Sequence, residues 1–93
     1  MSYHKRDYND PIYKSWRVAV FKRDGFKCQF PGCKCKTKLN AHHIIRWADA
    51  PTMRFVVTNG ITLCRSHHKM IEGHENSYMQ LFNSIVEEKR KKK

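Results

Sequence analysis

Two closely spaced pairs of metal-ligand side chains constrain this chain more than any other feature. Cys28 and Cys33 have four residues between them, Cys64 and His67 have two, and the pairs lie about 30 residues apart. Thiolate and imidazole suit zinc, and a tight turn can aim both side chains of each pair at one point, so two such pairs can close a tetrahedral site. With 93 residues the chain has the size of one small domain with a thin core, a class that often depends on a metal or on disulfides. The fourth ligand has an alternative. Cys35, two residues beyond Cys33, would give an all-cysteine site; His67 is favoured because Cys33 and Cys35 would crowd one corner of the tetrahedron.

Hydrophobic residues make up 40% of the chain, which fits a folded globule rather than a disordered segment. No apolar run approaches the ~18 residues needed to span a membrane. The start, Met1 to Arg6, is not followed by the apolar stretch of a secretory signal. The expected location is therefore the cytosol, where thiols stay reduced and a cysteine cluster reads as a metal site. No internal repeat or linker interrupts residues 1–93, which are read as one domain.

The formal charge of +11 points to a polyanionic partner, because Lys and Arg displace counterions condensed on phosphates. Lys22, Arg23, Lys27, Lys34, Lys36, Lys38 and Arg46 face a single acid, Asp24, between positions 22 and 46. The densest charge thus shares a segment with the cysteines and histidines. Lys22, Arg23, Lys27, Lys36, Lys38 and Arg46 are the candidate contacts to a nucleic-acid backbone. The tail, Lys89 to Lys93, is a separate run, expected to be frayed and nonspecific.

Asp10 and Pro11 read as the cap and first position of a helix. Ile12, Trp16, Val20 and Phe21 would form its apolar face, and Asp24-Gly25 its end. Residues 26–38 read as a turn-rich loop, Leu39 to Ile45 as a strand, and Phe55 to Thr58 as a second strand. Asn59-Gly60 reads as a turn, followed by a short extended stretch into Cys64. A helix is expected from Arg65 to Glu72. Another runs from Glu75 to Glu88, with Tyr78, Leu81, Phe82, Ile85 and Val86 on one face.

Histidines supply a second candidate site. His42 and His43 fall on a predicted strand, where neighbours point to opposite faces. His67 and His68 fall on a predicted helix, where adjacent side chains diverge by about 100 degrees. With His67 turned toward zinc, His68 is available elsewhere. The chain would then carry one closed, sulfur-rich site and one open site built from imidazoles. An open site of that kind suits phosphodiester hydrolysis: a divalent ion stabilises charge on the phosphate, and a neutral imidazole, with an ordinary pKa of about 6.5, takes a proton from water.

Ala41-His42-His43-Ile44, then Asn59-Gly60-Ile61-Thr62-Leu63-Cys64, then His67-His68 resembles the motif of the HNH nucleases. The stretch Arg23 to Cys28 and the Cys28/Cys33 pair look like the zinc-bearing subgroup common among phages and bacteria. The resemblance covers about residues 11–78. It implies an α+β domain of the ββα-metal (His-Me finger) type, with helices flanking it at both ends. By the same resemblance His42 and His68 would bind a catalytic Mg2+, Mn2+ or related ion. His43 would be the general base, and Asn59 would pin the loop that holds it. Cys28, Cys33, Cys64 and residue 67 would hold structural Zn2+; the family usually has cysteine where this chain has His67. The implied activity is hydrolysis of DNA, held mainly by its phosphate backbone, to 5′-phosphate and 3′-hydroxyl ends with little sequence specificity. A monomer or weak dimer is expected. The competing reading is a zinc-stabilised nucleic-acid-binding module, or an accessory protein with a phage packaging partner, without catalysis of its own.

Overall fold

The structure, a computed structural model, describes residues 8–91. Its elements in order are α1 (Pro11–Arg23), β1 (Leu39–His43), β2 (Gly60–Cys64), α2 (Arg65–Ile71) and α3 (Glu75–Lys91), with single 3-10 turns at Pro51–Met53 and Val57–Asn59. The strands pair antiparallel, with His42 opposite Ile61 and His43 opposite Gly60. The fold is the expected α+β one: a ββα unit of β1, β2 and α2, flanked by α1 and α3. No helix among the described residues is long and apolar enough to cross a membrane.

Local chemistry sets the ends of α1. The Asp10 carboxylate accepts a hydrogen bond from the Ile12 amide at 2.9 Å, and Pro11 fills the first position, where a missing amide proton costs nothing. The helix stops where Gly25 takes a left-handed φ of 69°, a conformation that suits glycine at a helix end. The buried stripe of α1 is Tyr13, Trp16, Val20 and Phe21. Ile12, read from the sequence as part of that stripe, is instead 59% exposed. The 13, 16, 20 spacing places the Tyr13 ring against Trp16, with centroids 5.8 Å apart, and turns Ile12 outward. Leu81 on α3 is likewise exposed, while Phe82 and Val86 are buried.

The hairpin separates two cores. Ala41 packs with the α1 stripe on one face. Ile61 and Leu63 pack with Ile44, Ile71, Phe82, Val86, Cys28 and Cys64 on the other. This period-two alternation is what a strand dictates.

The expected strand boundaries need correction. The first strand ends at His43 rather than Ile45, and Phe55 to Thr58 is no strand at all. It leads into the 3-10 turn at Val57–Asn59, and the second strand is Gly60–Cys64. β-Branched composition pointed to residues 55–58, but strand pairing follows burial against both layers. Phe55 and Val56 are exposed, whereas every residue of β2 is buried.

An isolated two-stranded hairpin is marginal in water, and the outer edge of this one is engaged by the end of α1 and the segment that follows it. The Asp24 carboxylate accepts from the Thr62 backbone N–H at 2.9 Å, and the backbone N–H of Gln29 donates to the Thr62 carbonyl at 2.9 Å. Arg23 donates to the carbonyls of Gly60 (2.6 Å) and Val57 (2.9 Å) and forms a bidentate pair with Asp24. These bonds, charge-assisted where Asp24 and Arg23 take part, engage the Thr62 N–H and the Thr62 and Gly60 carbonyls on the edge of β2 that β1 does not use.

Gly60 is required by packing rather than by its backbone conformation. A Cβ there would lie 2.6 Å from Trp16 Cζ2 and 2.6 Å from Val20 Cγ2. A rigid indole and a branched side chain cannot give that much without moving α1. Gly60→Ala is therefore expected to destabilise the protein by about 1–3 kcal/mol, as overpacked cores do. Urea denaturation measures this; an unchanged midpoint would mean that α1 is free to shift.

Candidate metal centre and catalytic cleft

The Cys28, Cys33, Cys64 and His67 side chains converge. Their four candidate ligand atoms all lie within 4.8 Å of one another. Cys33 Sγ is 4.0 Å from Cys64 Sγ, and His67 Nδ1 is 3.4 Å from Cys64 Sγ and 3.7 Å from Cys28 Sγ. Zinc–sulfur bonds of ~2.3 Å and zinc–nitrogen bonds of ~2.0 Å in a tetrahedron require ligand atoms roughly 3.5–3.8 Å apart. The donor set and its spacing therefore fit a zinc ion. Cys35 stands apart, with its thiol turned to the carbonyl of Thr37 at 3.4 Å, so the residue that completes the cluster is His67. The His67 ring is held by a parallel stack on Phe30, with centroids 4.2 Å apart and planes 6° apart. Burial pushes the Cys28 thiol up to about 12, so a bound ion must displace a proton there.

The hairpin distributes the other histidines as strand alternation requires. His42 faces α2 and α3, its ring 5.6 Å from that of His68 and 5.7 Å from that of Phe82. His43 faces α1 and stacks on Trp16, with centroids 4.1 Å apart and planes 14° apart. Both reach the end of β1, where one cleft of about 290 Å3 is lined by His42, His43, Arg46, His68, Glu72 and Glu75 among others. On α2, His67 turns to the sulfur cluster and His68 to this cleft.

Several contacts fix the His43 ring. Its Nε2–H donates to the Arg54 carbonyl at 2.9 Å, and the Trp47 ring meets it edge-on, with centroids 5.5 Å apart. Trp16 in turn donates its indole N–H to the Val56 carbonyl at 2.9 Å. Arg54 donates to the Trp47 carbonyl at 2.8 Å and lies over the Trp47 ring at 4.3 Å. Asn59, buried beneath the loop, accepts from the Ile45 amide at 2.9 Å and donates to the carbonyls of Ile45 and Met53. It thus ties down the residues just after His43 and just before Arg54.

The HNH endonuclease family profile matches residues 28–75, a span that holds both groups of histidines and all four cysteines. The chain belongs to the HNH endonuclease family. No curated protein sequence and no solved structure matches it. In this HNH chain α1 lies wholly outside the matched span and α3 almost wholly, yet they supply Trp16 against His43 and Phe82 against His42.

The cations singled out from sequence do not all line one hollow. Arg46 lines the histidine cleft, exposed and paired with Asp49 at 2.9 Å. A hydrogen bond from Arg46 holds the Asp49 carboxyl below its ordinary pKa, and the same bond raises that of Arg46. Lys38 lines a neighbouring hollow. Lys22 lies on the outer face of α1, and Lys27 and Lys36 lie in the loop before β1, outside both hollows. Arg23 was expected on the phosphate-facing surface, but its guanidinium points inward and ties down β2. The spacing of a cap residue and the next strand gave no sign of that role. Trp16, Trp47, Arg54 and Phe82 carry no motif of their own, and only the tertiary contacts connect them with the histidines. His74 is exposed, and His4, Lys92 and Lys93 lie outside the described residues.

Proposed function

We propose that this chain is a metal-dependent endonuclease that hydrolyses phosphodiester bonds of DNA, with His43 as general base and a structural zinc on Cys28, Cys33, Cys64 and His67. One observation carries the reading. Imidazoles from the end of β1 and from α2 share a cleft with Arg46, while a separate Cys3His cluster provides for the structural ion. A binding module would need only the second.

His43 is arranged for its task. With Nε2–H donated to the Arg54 carbonyl, the neutral ring carries its lone pair on Nδ1, the atom that would take a proton from the attacking water. Trp16 and Trp47 hold the ring so that little reorganisation precedes transfer. Once protonated, the ring would lie against the Trp16 indole in a favourable cation–π contact, and its bond to Arg54 would become charge-assisted. Asn59 positions this base through the loop and touches no reacting atom. Attack of the water oxygen on phosphorus breaks the bond to the 3′ oxygen, which takes a proton from solvent water, leaving 5′-phosphate and 3′-hydroxyl ends, and Arg46 would hold the phosphate.

His42 and His68 would hold the divalent ion, with Glu72 and Glu75 on the same cleft wall. Such an ion would stabilise charge on the phosphate and on the departing oxygen. Two imidazoles favour Mn2+ or Ni2+ over Mg2+, which prefers oxygen ligands. Zinc-loaded protein is expected to nick supercoiled plasmid, more strongly in manganese or nickel than in magnesium. His68→Ala should raise the metal concentration for half-maximal rate at least tenfold, as gel quantification would show. Intact plasmid in all three metals would overturn the reading.

A further inference from the structure

A second hollow, of about 370 Å3, adjoins the catalytic cleft, and His68 and Glu72 line both. Lys38, Asn40, Arg65 and Lys69 contribute to its walls. The hairpin brings the three cations together. Leu39 pairs with Cys64, which sets Lys38, just before β1, across from Arg65, just after β2. Lys69 follows one helical turn along α2. Like charges placed opposite one another across a hairpin are destabilising. Lys38 also takes a left-handed φ of 52°, unusual for a residue other than glycine.

All three cations are exposed, and no ion pair or hydrogen bond among the described residues engages them. Arg23, Arg46 and Arg90, in contrast, each have a carboxylate partner. Glu72 is the one acid on the wall of this hollow. Convergent positive charge without internal compensation, beside a cleft for a phosphodiester, fits a polyanion that runs from one hollow into the other.

We propose that Lys38, Arg65 and Lys69 form a phosphate subsite that grips the DNA backbone next to the scissile phosphate. The proposal rests on the nuclease reading for its substrate and names where that substrate's neighbouring phosphate sits. Arg65 and Lys69 are not among the motif residues that carry the family resemblance, and the sequence does not group them with Lys38. Contacts of this type position the backbone without reading bases.

The test compares a Lys38→Gln/Arg65→Gln/Lys69→Gln variant with a charge-matched control at the far end of α3, Lys89→Gln/Arg90→Gln/Lys91→Gln. Affinity for a fluorescein-labelled DNA duplex is measured by anisotropy over a salt series, in zinc-loaded protein without added magnesium or manganese. Zinc content checks that each variant is folded. The subsite variant is expected to lose about 2–3 from the slope of log affinity against log salt, and the tail control less than about 1. In nicking assays KM should rise roughly tenfold with kcat within about threefold, since the lost contacts bind ground and transition states alike. Equal slope losses in the two variants would overturn the proposal. If wild type binds with the expected slope difference but does not nick, the subsite stands and the nuclease reading falls. If wild type nicks and the slopes of wild type and subsite variant agree, the subsite alone falls.

Discussion

His43→Ala is expected to lower kcat for plasmid nicking by about 10²–10⁴-fold, the usual contribution of a positioned general base. The substitution also removes a ring that is 5% exposed and stacked on Trp16, so some stability should be lost with it. Rates must therefore be taken per folded molecule, with zinc content and circular dichroism as checks. A chemical readout separates the two losses. The gap left between Trp16 and Trp47 has the shape of an imidazole, so added imidazole should restore part of kcat in His43→Ala and none in wild type. His68→Ala should behave differently, recovering with excess metal and not with imidazole. A His43→Ala protein that is folded, zinc-loaded and as active as wild type would remove His43 from the mechanism. Loss of activity with no imidazole rescue at any concentration would favour a structural role for the ring.

What the sequence made legible follows from how far each feature depends on distant parts of the chain. The spacings Cys28–Cys33 and Cys64–His67 encode local turns, so the metal cluster could be read directly. The opposed directions of His42 and His43 follow from strand geometry alone, and the divergence of His67 and His68 from helix geometry. The location of the second strand was not legible. Phe55 to Thr58 has the better strand composition, yet Phe55 and Val56 are exposed, and the strand is Gly60–Cys64, every residue of which is buried. Arg23 looked like a surface cation because the edge it closes exists only once β2 is placed. Asn59-Gly60 read locally as a turn, and the Asn59 side chain proves to bridge Ile45 and Met53. In each case the missing information was a contact between segments far apart in the sequence, which periodicity and propensity do not carry.

Removal of the structural metal should have the largest effect on the fold. Cys28 and Cys64 are themselves members of the main core, and the cluster joins the loop after α1 to the junction of β2 and α2. Binding of structural zinc to small domains contributes about 10–16 kcal/mol, against a net stability of about 5–15 kcal/mol for a typical domain. Chelation is therefore expected to unfold the protein, with loss of near-ultraviolet circular dichroism and of the thermal transition, both restored by zinc. The ion count should be one zinc per chain before treatment. Ligand variants make the assignment specific. His67→Ala and Cys28→Ser should lose zinc and melt at lower temperature, whereas Cys35→Ser should keep its zinc, because that thiol faces Thr37. His67→Cys, which restores the ligand usual in the family, should retain the ion as well, although it gives up the stack on Phe30. Zinc retained in His67→Ala and lost in Cys35→Ser would transfer the fourth corner to Cys35. The proposed catalytic pair would be untouched by that outcome, because neither His42 nor His68 is among the residues of the Cys/His cluster.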